Sequence, residues 1–249
     1  MRQLILPPGY NGEKFFPITG SEFHHLRNVL RVSTGMCFNG IDRKGNRYNV
    51  TVSSVNENSC TLHIKKNSVK ELEVPQITIF QCLPKGRKMD QIVRQVVEAG
   101  AKRVVPLISE RTIPRLQHNT VKKKTDRWRR IAEEAVKQCG ASYVPEVFEP
   151  VKLRKIHEFR LEDEIGLFFH QLPIDNKTLH KYLSDCPPRI GIVIGPEGGL
   201  TDEEIRYLKD LLFVPVYLGP NILRTETVAV VAVATIQLLY LEYDSWRLR

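Results

Sequence analysis

Residues 195–199 read Gly195-Pro196-Glu197-Gly198-Gly199, and residues 218–227 read Leu218-Gly219-Pro220-Asn221-Ile222-Leu223-Arg224-Thr225-Glu226-Thr227; these two loops decide the fold. Each loop follows a short run rich in β-branched residues, and each leads into a helix; the runs are Ile190–Ile194 and Val214–Leu218. The pattern predicts two strands that deliver their loops to one edge of a sheet. Open α/β sheets bind their ligands at such an edge.

The first loop has the composition of a rigid, donor-rich turn. Its three glycines permit positive φ and let a ligand approach the bare backbone, while Pro196 stiffens the turn. Thr201 is expected to cap the following helix, and Glu204 completes a capping box. Glycine turns before capped helices are common, so one such loop does not define a site. Two matching loops on successive strands favour a ligand-binding site.

The second loop leads into a long apolar helix. We expect Thr225 to cap this helix, with Arg224 and Glu226 flanking the cap as a pair of opposite charges. Neither loop contains the Gly-Lys-Ser/Thr of a P-loop, which argues against a nucleotide triphosphatase.

The composition is that of an ordinary soluble protein. A hydrophobic content of 42% over 249 residues supports a substantial core in one large or two small domains. The longest apolar run, Val228–Leu241, is interrupted by Thr235 and Gln237 and is shorter than the ~20 residues that cross a bilayer. The N-terminus lacks the pattern of a secretory signal. We therefore expect a cytoplasmic protein with no membrane association.

The five cysteines are odd in number, widely spaced and without a C-x-x-C pair. They predict reduced thiols, and neither a zinc site nor a disulfide framework. Adjacent His24 and His25 diverge on any regular element, so we expect no metal.

Positive charge is concentrated in the middle of the chain. Residues 85–130 carry fourteen Lys and Arg against four Asp and Glu, whereas residues 131–249 carry thirteen against eighteen. A basic middle beside an acidic C-terminal part indicates a surface that faces a polyanion. For any one residue of Lys122-Lys123-Lys124, a place on an ordinary solvated surface explains the charge as well as a contact with a polyanion does.

Residues 1–72 are predicted to form a small β-rich barrel with one helix. Strands are expected over Met1–Leu6, Met36–Ile41, Tyr48–Val55 and Cys60–Lys66, and a helix from Ser21 to about Arg31. Small barrels of this kind bind RNA in some proteins and act as scaffolds in others. The charged stretch Lys70–Pro75 is a candidate linker.

Residues 73–249 are predicted to form an α/β domain. Strands over Ile77–Leu83, Val104–Ile108 and Ile165–Phe169 alternate with helices, of which one runs from about Thr125 to Cys139. This alternation leads into the two glycine loops. It indicates a parallel sheet with helices on both faces.

The two loop motifs resemble the C-terminal signature of the RsmE family, methyltransferases of the SPOUT superfamily that modify N3 of a uridine in small-subunit (16S) ribosomal RNA. Further motifs are similar to this family at Lys85-Gly86-x-x-Met89-Asp90, Ser109-Glu110-Arg111 and Gln138-Cys139-Gly140. The resemblance covers nearly the whole chain. It implies an S-adenosylmethionine (SAM) site, a SPOUT domain with a deep trefoil knot, an N-terminal PUA-like barrel that binds RNA, and a homodimer.

The resemblance also implies roles for particular residues. The SAM site would comprise Ile194, Gly195, Pro196, Glu197, Gly198, Gly199, Leu218, Gly219, Asn221, Ile222, Leu223, Thr225 and Thr227. Arg224 is the candidate to stabilise the deprotonated base, and Glu226 or Glu197 is the candidate to accept the proton, which could instead pass to solvent. RNA, either naked or in the assembled small subunit, would contact His25, Arg27, Arg31, Lys85, Arg87 and Arg111. Arg27 and Arg31 are also explained as ordinary helix-surface arginines.

Three positions depart from the family pattern, and two other functions remain open. Asn221, Ala141 and Tyr143 stand where basic residues are more usual, which affects the RNA contacts more than the cofactor site. The same fold and cofactor would also suit a ribose 2′-O-methyltransferase acting on transfer or ribosomal RNA. A non-catalytic RNA-binding module with a vestigial pocket is the third alternative.

Overall fold

The computed structural model describes residues 3–28, 30–67, 74–113, 118–173 and 178–243. The chain forms two compact units: unit 1 comprises Met1–Glu71 with Val136–Val144, and unit 2 comprises Leu72–Ala135 with Pro145–Arg249. The domain boundary predicted between residues 72 and 73 lies outside the described residues. The prediction assigned residues 136–144 to the second domain, but here they are grouped with unit 1. Within unit 1 the side chain of Gln3 donates to the Ala141 carbonyl at 2.6 Å.

Unit 1 contains a five-stranded sheet, one complete helix, and residues 136–139 at the end of the long helix that lies mostly in unit 2. Its elements are β1 (Gln3–Ile5), β2 (Phe15–Thr19), α1 (Gly20–Asn28), β3 (Cys37–Ile41), β4 (Arg47–Val55) and β5 (Ser59–Asn67), with strand order β1-β3-β4-β5-β2. β1 runs parallel to β3, and the other pairs are antiparallel. Inward side chains such as Phe23, Phe38 and Leu62 form its core. The PUA-like character of this unit stays a prediction.

β2 was not predicted from the sequence, and its composition explains why. Its burial alternates, with Phe16 and Ile18 turned inward, but the exposed positions between them hold apolar Phe15 and Pro17, so the sequence shows no alternation of apolar and polar residues. Pro17 lies in its middle, and proline is tolerated there because β2 is an edge strand.

Unit 2 has the expected α/β architecture, with a sheet whose strand pairs are all parallel. Strand order is β12-β10-β11-β6-β7-β8, and β9 also pairs with β7. The strands are β6 (Gln76–Cys82), β7 (Ala101–Ile108), β8 (Glu146–Val147), β9 (Val151–Lys152), β10 (Glu164–Phe169), β11 (Arg189–Ile194) and β12 (Phe213–Val216). The helices are α2 (Lys88–Glu98), α3 (His118–Cys139), α4 (Leu179–Leu183), α5 (Asp202–Asp210) and α6 (Thr225–Leu241), with a 3₁₀ helix at Leu153–Phe159.

Several predicted boundaries were wrong. α3 begins at His118 and not at Thr125, whose buried hydroxyl donates to the Val121 carbonyl at 3.0 Å inside the helix. α1 ends at Asn28 and not at Arg31, where φ is +50°. β8 and β9 are two residues long, too short to give a periodic signal.

Packing between α2 and α6 supports the centre of the sheet. α2 buries Met89, Ile92, Val93, Val96 and Val97, and α6 buries Ala229, Ala232, Val233 and Ile236. A Cβ at Gly100, just after α2, would lie 2.7 Å from the Gln237 amide nitrogen of α6. The two helices therefore approach closely where α2 ends. No helix in the described ranges has both the length and the apolarity to cross a membrane.

Glu164, at the start of β10, makes stability depend on pH. Burial raises the pKa of this carboxyl to about 6 from 4.5, although the Arg160 guanidinium lies 3.8 Å away. Because the folded pKa is the higher one, the group stabilises the fold below pH 4.5, and this contribution is lost as pH rises through 6.

We therefore expect the pH dependence of unfolding to change in Glu164→Gln. A shift of this size is worth about 2 kcal/mol, so between acid and neutral pH the wild type should lose about that much stability relative to the variant. Urea unfolding across this range measures the difference. The exposed Glu162→Gln is the control, and parallel curves for wild type and Glu164→Gln would contradict the assignment.

Candidate functional site

The first glycine loop joins β11 to α5 at the carboxyl edge of the unit 2 sheet. The predicted capping box is confirmed: the Glu204 N–H donates to Thr201 Oγ1 at 3.2 Å, and the Thr201 N–H donates to Glu204 Oε2 at 2.9 Å. The buried Glu204 also accepts from the Glu110 N–H at 2.9 Å. The carboxylate thus fixes both the start of α5 and the segment that follows β7.

Glycine is required at particular positions of this loop. Gly199 has φ of +70°, a conformation that β-branched residues avoid. A Cβ at Gly195 would lie 3.3 Å from the Leu200 side chain. The loop backbone is therefore close-packed on one side while its other side lines a cavity.

The Arg111 side chain anchors the loop through hydrogen bonds to the loop's main-chain carbonyls. Its guanidinium donates to the Gly198 carbonyl at 2.8 Å and to the Leu200 carbonyl at 3.2 Å. The sequence predicted Arg111 as an RNA contact, and the structure adds this anchoring role.

The predicted cap of α6 was wrong. Arg224 occupies the N-cap position and makes no side-chain cap bond, while Thr225 is the first helical residue. The Thr225 hydroxyl donates to the Gly195 carbonyl at 2.9 Å and accepts from Gln81 Nε2 at 3.0 Å. A bond across the sheet edge has taken the place of a local cap, and it ties the two loops to each other and to β6.

We expect Thr225→Val to loosen this tie. The variant leaves the part-buried Gly195 carbonyl and the buried Gln81 amide without their shared partner, which costs ~1–3 kcal/mol. Urea unfolding measures the loss. Thr235→Val, half-buried on the same helix, is the control, and equal stability of the two variants would contradict the role of the hydroxyl.

Lys88, at the start of α2, links carboxylates of both loops. Its Nζ lies 2.9 Å from Glu197 Oε1 and 3.4 Å from Glu226 Oε2. The pKa of Lys88 is raised, chiefly by its hydrogen bond to Glu197. The predicted Arg224–Glu226 pair is not among the ion pairs of the described residues, because Glu226 is turned to Lys88.

Glu197 is held as an anion. Burial raises the pKa of this carboxyl, but hydrogen bonds from Lys88 Nζ and the Lys85 N–H outweigh that effect and lower the pKa overall. Glu226 Oε2 is buried, and Lys88 Nζ faces it at 3.4 Å as an ion pair without well-formed hydrogen-bond geometry. The two carboxylates therefore differ in how tightly they are held, since Glu197 has the shorter contact to Lys88 and a second donor in the Lys85 N–H.

A cavity of about 330 Å³ lies between the loops. Its lining contains the predicted residues Ile194, Gly195, Pro196, Glu197, Gly198, Gly199, Leu218, Gly219, Asn221, Ile222, Leu223, Arg224 and Thr225, together with Arg111. Thr227 and Glu226 do not line it. The side chain of Ile222 is 81% exposed, so this large apolar group is open to a ligand.

Sequence reasoning missed a third segment of the lining, Phe169-His170-Gln171. Phe169 is the last residue of β10, the parallel neighbour of β11, and His170 and Gln171 directly follow it. The carboxyl end of β10 was the signal that would have found them, since neighbouring parallel strands end at the same sheet edge. Leu200 and Val228 complete the cavity wall.

The predicted RNA contacts are distributed over both units. In unit 1, the Arg27 guanidinium donates to the Glu57 carbonyl and lies 5.9 Å from the centre of the Phe23 ring. The side chain of His25 lies outside the described part of the structure. In unit 2, the backbone N–H of Lys85 donates a hydrogen bond to the Glu197 carboxylate, and Arg87 is the N-cap residue of α2. No described group of three or more His, Cys, Asp or Glu residues is arranged to hold a metal ion.

Comparison with known sequences identifies related proteins over most of the chain. A family model described as an RNA methyltransferase domain matches residues 70–237. Ribosomal RNA small subunit methyltransferase E of Bacillus subtilis is 31% identical over 228 residues, which is 89% of each chain. The protein of the same name from Aquifex aeolicus is 33% identical and covers 86% of this chain and 90% of its own.

Solved structures show the same similarity. Ribosomal RNA small subunit methyltransferase E from Neisseria gonorrhoeae, bound to S-adenosyl methionine, has a TM-score of 0.84 at 26% identity, with 96% and 98% of the two chains covered. A Legionella pneumophila protein solved in complex with the cofactor SAM has a TM-score of 0.82 at 28% identity, with 95% and 96% covered.

Proposed function

This chain belongs to the RsmE family of ribosomal RNA methyltransferases, and from that premise we propose that it methylates N3 of a uridine in the RNA of the small ribosomal subunit. It is a SAM-dependent ribosomal RNA methyltransferase. One observation carries the choice of site: the cavity between the two glycine loops has Arg224 in its wall.

The residues of the cavity fit SAM in size and chemistry. About 330 Å³ is at the lower end of the range for sites that take drug-sized ligands. Because the loop glycines have no side chains, adenine and ribose can approach the backbone of Gly195, Gly199 and Gly219 closely, and Leu218, Ile222 and Leu223 offer apolar surface to the base. When bound, SAM supplies an electrophilic methyl group on a positively charged sulfur.

Alignment is the first task of these loops. Methyl transfer is an in-line displacement, in which a bond from N3 to the methyl carbon forms as the carbon–sulfur bond breaks. The capping box at Thr201, the Arg111 bonds and the Thr225 bond to Gly195 all fix loop backbone before any ligand arrives. A preorganised pocket of this kind lowers the entropy cost of alignment.

Arg224 is placed to stabilise the acceptor. Uridine N3 carries a proton at neutral pH and lies on the pairing edge of the base, so the base must be unpaired before it can react. Loss of the proton places negative charge on N3 and on both carbonyl oxygens. Arg224 is exposed at the cavity and has no ion pair with a described residue, so its guanidinium is available to this charge.

Two carboxylates, Glu197 and Glu226, are the candidates to accept the N3 proton. Glu197 lines the cavity, but donors already occupy its oxygens and lower its pKa. Glu226 is held less tightly, with its buried Oε2 at 3.4 Å from Lys88 Nζ, yet it lies outside the lining. Proton acceptance by either residue stays a prediction, and direct loss of the proton to water is the alternative.

The SPOUT knot is supported by the path of the chain into α6. β12 is the edge strand, two places from β11, and the segment after it returns to the middle of the sheet. There Thr225 contacts both the loop after β11 and the end of β6. We propose that this return threads the knot.

Two further proposals concern the RNA and the place of action. We propose that unit 1 is the PUA-like RNA-binding domain. We also propose that the protein acts in the cytoplasm, where ribosomes are assembled.

A homodimer is supported by an exposed apolar stripe on α6. Ala234, Leu238 and Leu241 are spaced as one helix face, and the two leucines are 53% and 56% exposed. Apolar residues repeated on one exposed helix face mark an interaction surface more often than a solvated one. Two copies related by a two-fold axis would bury this stripe against itself.

We expect Leu238→Arg to dissociate the dimer. The variant places an unpaired charge in the proposed interface and should raise the dimer dissociation constant at least about tenfold. Sedimentation velocity over a concentration series measures it. Leu212→Arg, at a site 80% exposed and away from α6, is the control, and a wild type that is monomeric throughout would refute the dimer.

The proposed reaction is tested on ribosomal RNA directly. Small-subunit RNA, both naked and in assembled subunits, is incubated with the protein and SAM, digested to nucleosides and analysed by mass spectrometry. N3-methyluridine is the expected product. Ribose 2′-O-methylated nucleosides would refute the base assignment, and absence of both transfer and SAM binding would indicate a non-catalytic RNA-binding module.

A further inference from the structure

Unit 1 contains a groove that none of the predicted RNA contacts lines. It encloses about 630 Å³ and is open to solvent, and its lining includes Tyr10, Lys14, Tyr48, His63, Lys65 and Lys66. The groove lies where the segment before β2 passes strands β4 and β5. It is separate from α1, which carries Arg27.

An exposed aromatic pair stands beside the groove. Phe15 of β2 is 55% exposed, and it lies directly opposite His63 of β5 in the strand register. The two ring centres are 5.0 Å apart at an interplanar angle of 35°, so the rings lie tilted partly over each other, and His63 supports the exposed Phe15 ring. An exposed face of this kind is a platform on which an unstacked base can lie.

The floor of the groove is preformed by tyrosines. The Tyr10 ring packs edge-on against Phe16 at 5.6 Å and against Tyr48 at 5.4 Å. The Tyr48 hydroxyl in turn donates to Asp42 Oδ2 at 2.9 Å. Because these rings are fixed by one another, a ligand entering the groove orders little that is not already ordered.

The charge of the groove is positive. Lys14, Lys65 and Lys66 are exposed and form no ion pair with a described residue, and no Asp or Glu is among the residues that line the groove. Lys14 Nζ lies 5.9 Å from the centre of the Phe15 ring, which brings a cation next to the aromatic pair. Lysines beside a stacking face suit a ligand with both a phosphate backbone and exposed bases.

We propose that this groove binds an unpaired segment of the RNA substrate, with a base stacked on the exposed Phe15 ring that His63 supports and phosphates held by Lys14, Lys65 and Lys66. The inference rests on the proposed function, because it assigns part of the same RNA to unit 1. A single strand is favoured over a duplex, because bases paired within a helix cannot stack on a protein ring.

The aromatic part is tested by Phe15→Ala in the full-length protein. Phe15 is exposed, so its removal should not unfold unit 1, and thermal unfolding checks this. Fluorescence anisotropy then compares a labelled single-stranded oligoribonucleotide with a duplex of equal length. We expect Phe15→Ala to lower the affinity for the single strand roughly tenfold or more and to change the affinity for the duplex little. The exposed Leu212→Ala should change neither affinity.

The lysines are tested by their effect on the salt dependence of binding. Each phosphate contact on a single strand contributes about 0.7 to the slope of log affinity against log salt, so Lys65→Gln/Lys66→Gln should reduce this slope by about 1.4. Lys209→Gln, exposed on α5, is the control for charge. Calorimetry should show SAM affinity unchanged in every variant.

Unaltered single-strand affinity in both Phe15→Ala and Lys65→Gln/Lys66→Gln would overturn the inference. An equal loss on single strand and duplex in Phe15→Ala would also overturn it, because stacking would then play no part. Failure of the proposed function is distinguishable, since it would appear as a wild type that transfers no methyl group to ribosomal RNA, whatever the affinities of the variants.

Discussion

Arg224→Ala should lower kcat by about 10²–10³ while SAM affinity stays close to that of the wild type. Loss of one preorganised group aimed at developing negative charge has an effect of this size in enzymes that stabilise an oxyanion. Arg224 is exposed at the cavity and forms no ion pair with a described residue, so the substitution should leave the fold intact. Single-turnover kinetics with saturating RNA measures the chemical step, and calorimetry measures SAM binding.

The matched control for Arg224→Ala is Arg206→Ala. Arg206 is an exposed arginine of α5 that does not line the cavity, so its loss removes the same charge without the proposed contact. A collapse of SAM affinity in Arg224→Ala would place the guanidinium on the cofactor and not on the base. A kcat equal to that of the control would remove Arg224 from the reaction.

Gly199→Val should weaken SAM binding strongly. With φ of +70°, Gly199 has a backbone conformation that costs a non-glycine residue ~1–3 kcal/mol, with a β-branched side chain among the worst tolerated. The loop must either bear this strain or turn its backbone groups away from the cavity, and the added side chain would start 3.9 Å from Arg111 Nη1, which anchors the loop. We expect the SAM dissociation constant to rise at least about tenfold, as measured by calorimetry.

Gly9→Val is the control for the glycine substitution. A Cβ at Gly9 meets no atom within 4 Å, and the residue does not have positive φ, so the variant should bind SAM normally. Wild-type SAM affinity in Gly199→Val would show that the first loop is not the binding site.

Local sequence patterns predicted much of unit 2 and of its site. The strand runs before Gly195 and Leu218 identified β11 and β12, and the Thr201–Glu204 capping box was confirmed because both of its partners lie within one helical turn. The cavity lining contains most of the residues expected from the loop motifs. Such features depend on a few consecutive residues, and so they are visible in the sequence.

The contacts that join distant segments could not be predicted in this way. Lys88 lies 109 positions before Glu197, and Gln81 lies 144 positions before Thr225. Nothing in their local sequence marks either residue as part of the site. The wrong cap at Thr225 has the same origin, because its hydroxyl serves the Gly195 carbonyl and not its own helix.

A crystal structure of the protein with SAM bound tests the central claim most directly. The account predicts the adenine and ribose against the backbone of Gly195–Gly199 and Leu218–Leu223, with the methyl group directed to the side where Arg224 lies. SAM bound at any other place, or bound without contact to either loop, would contradict the account.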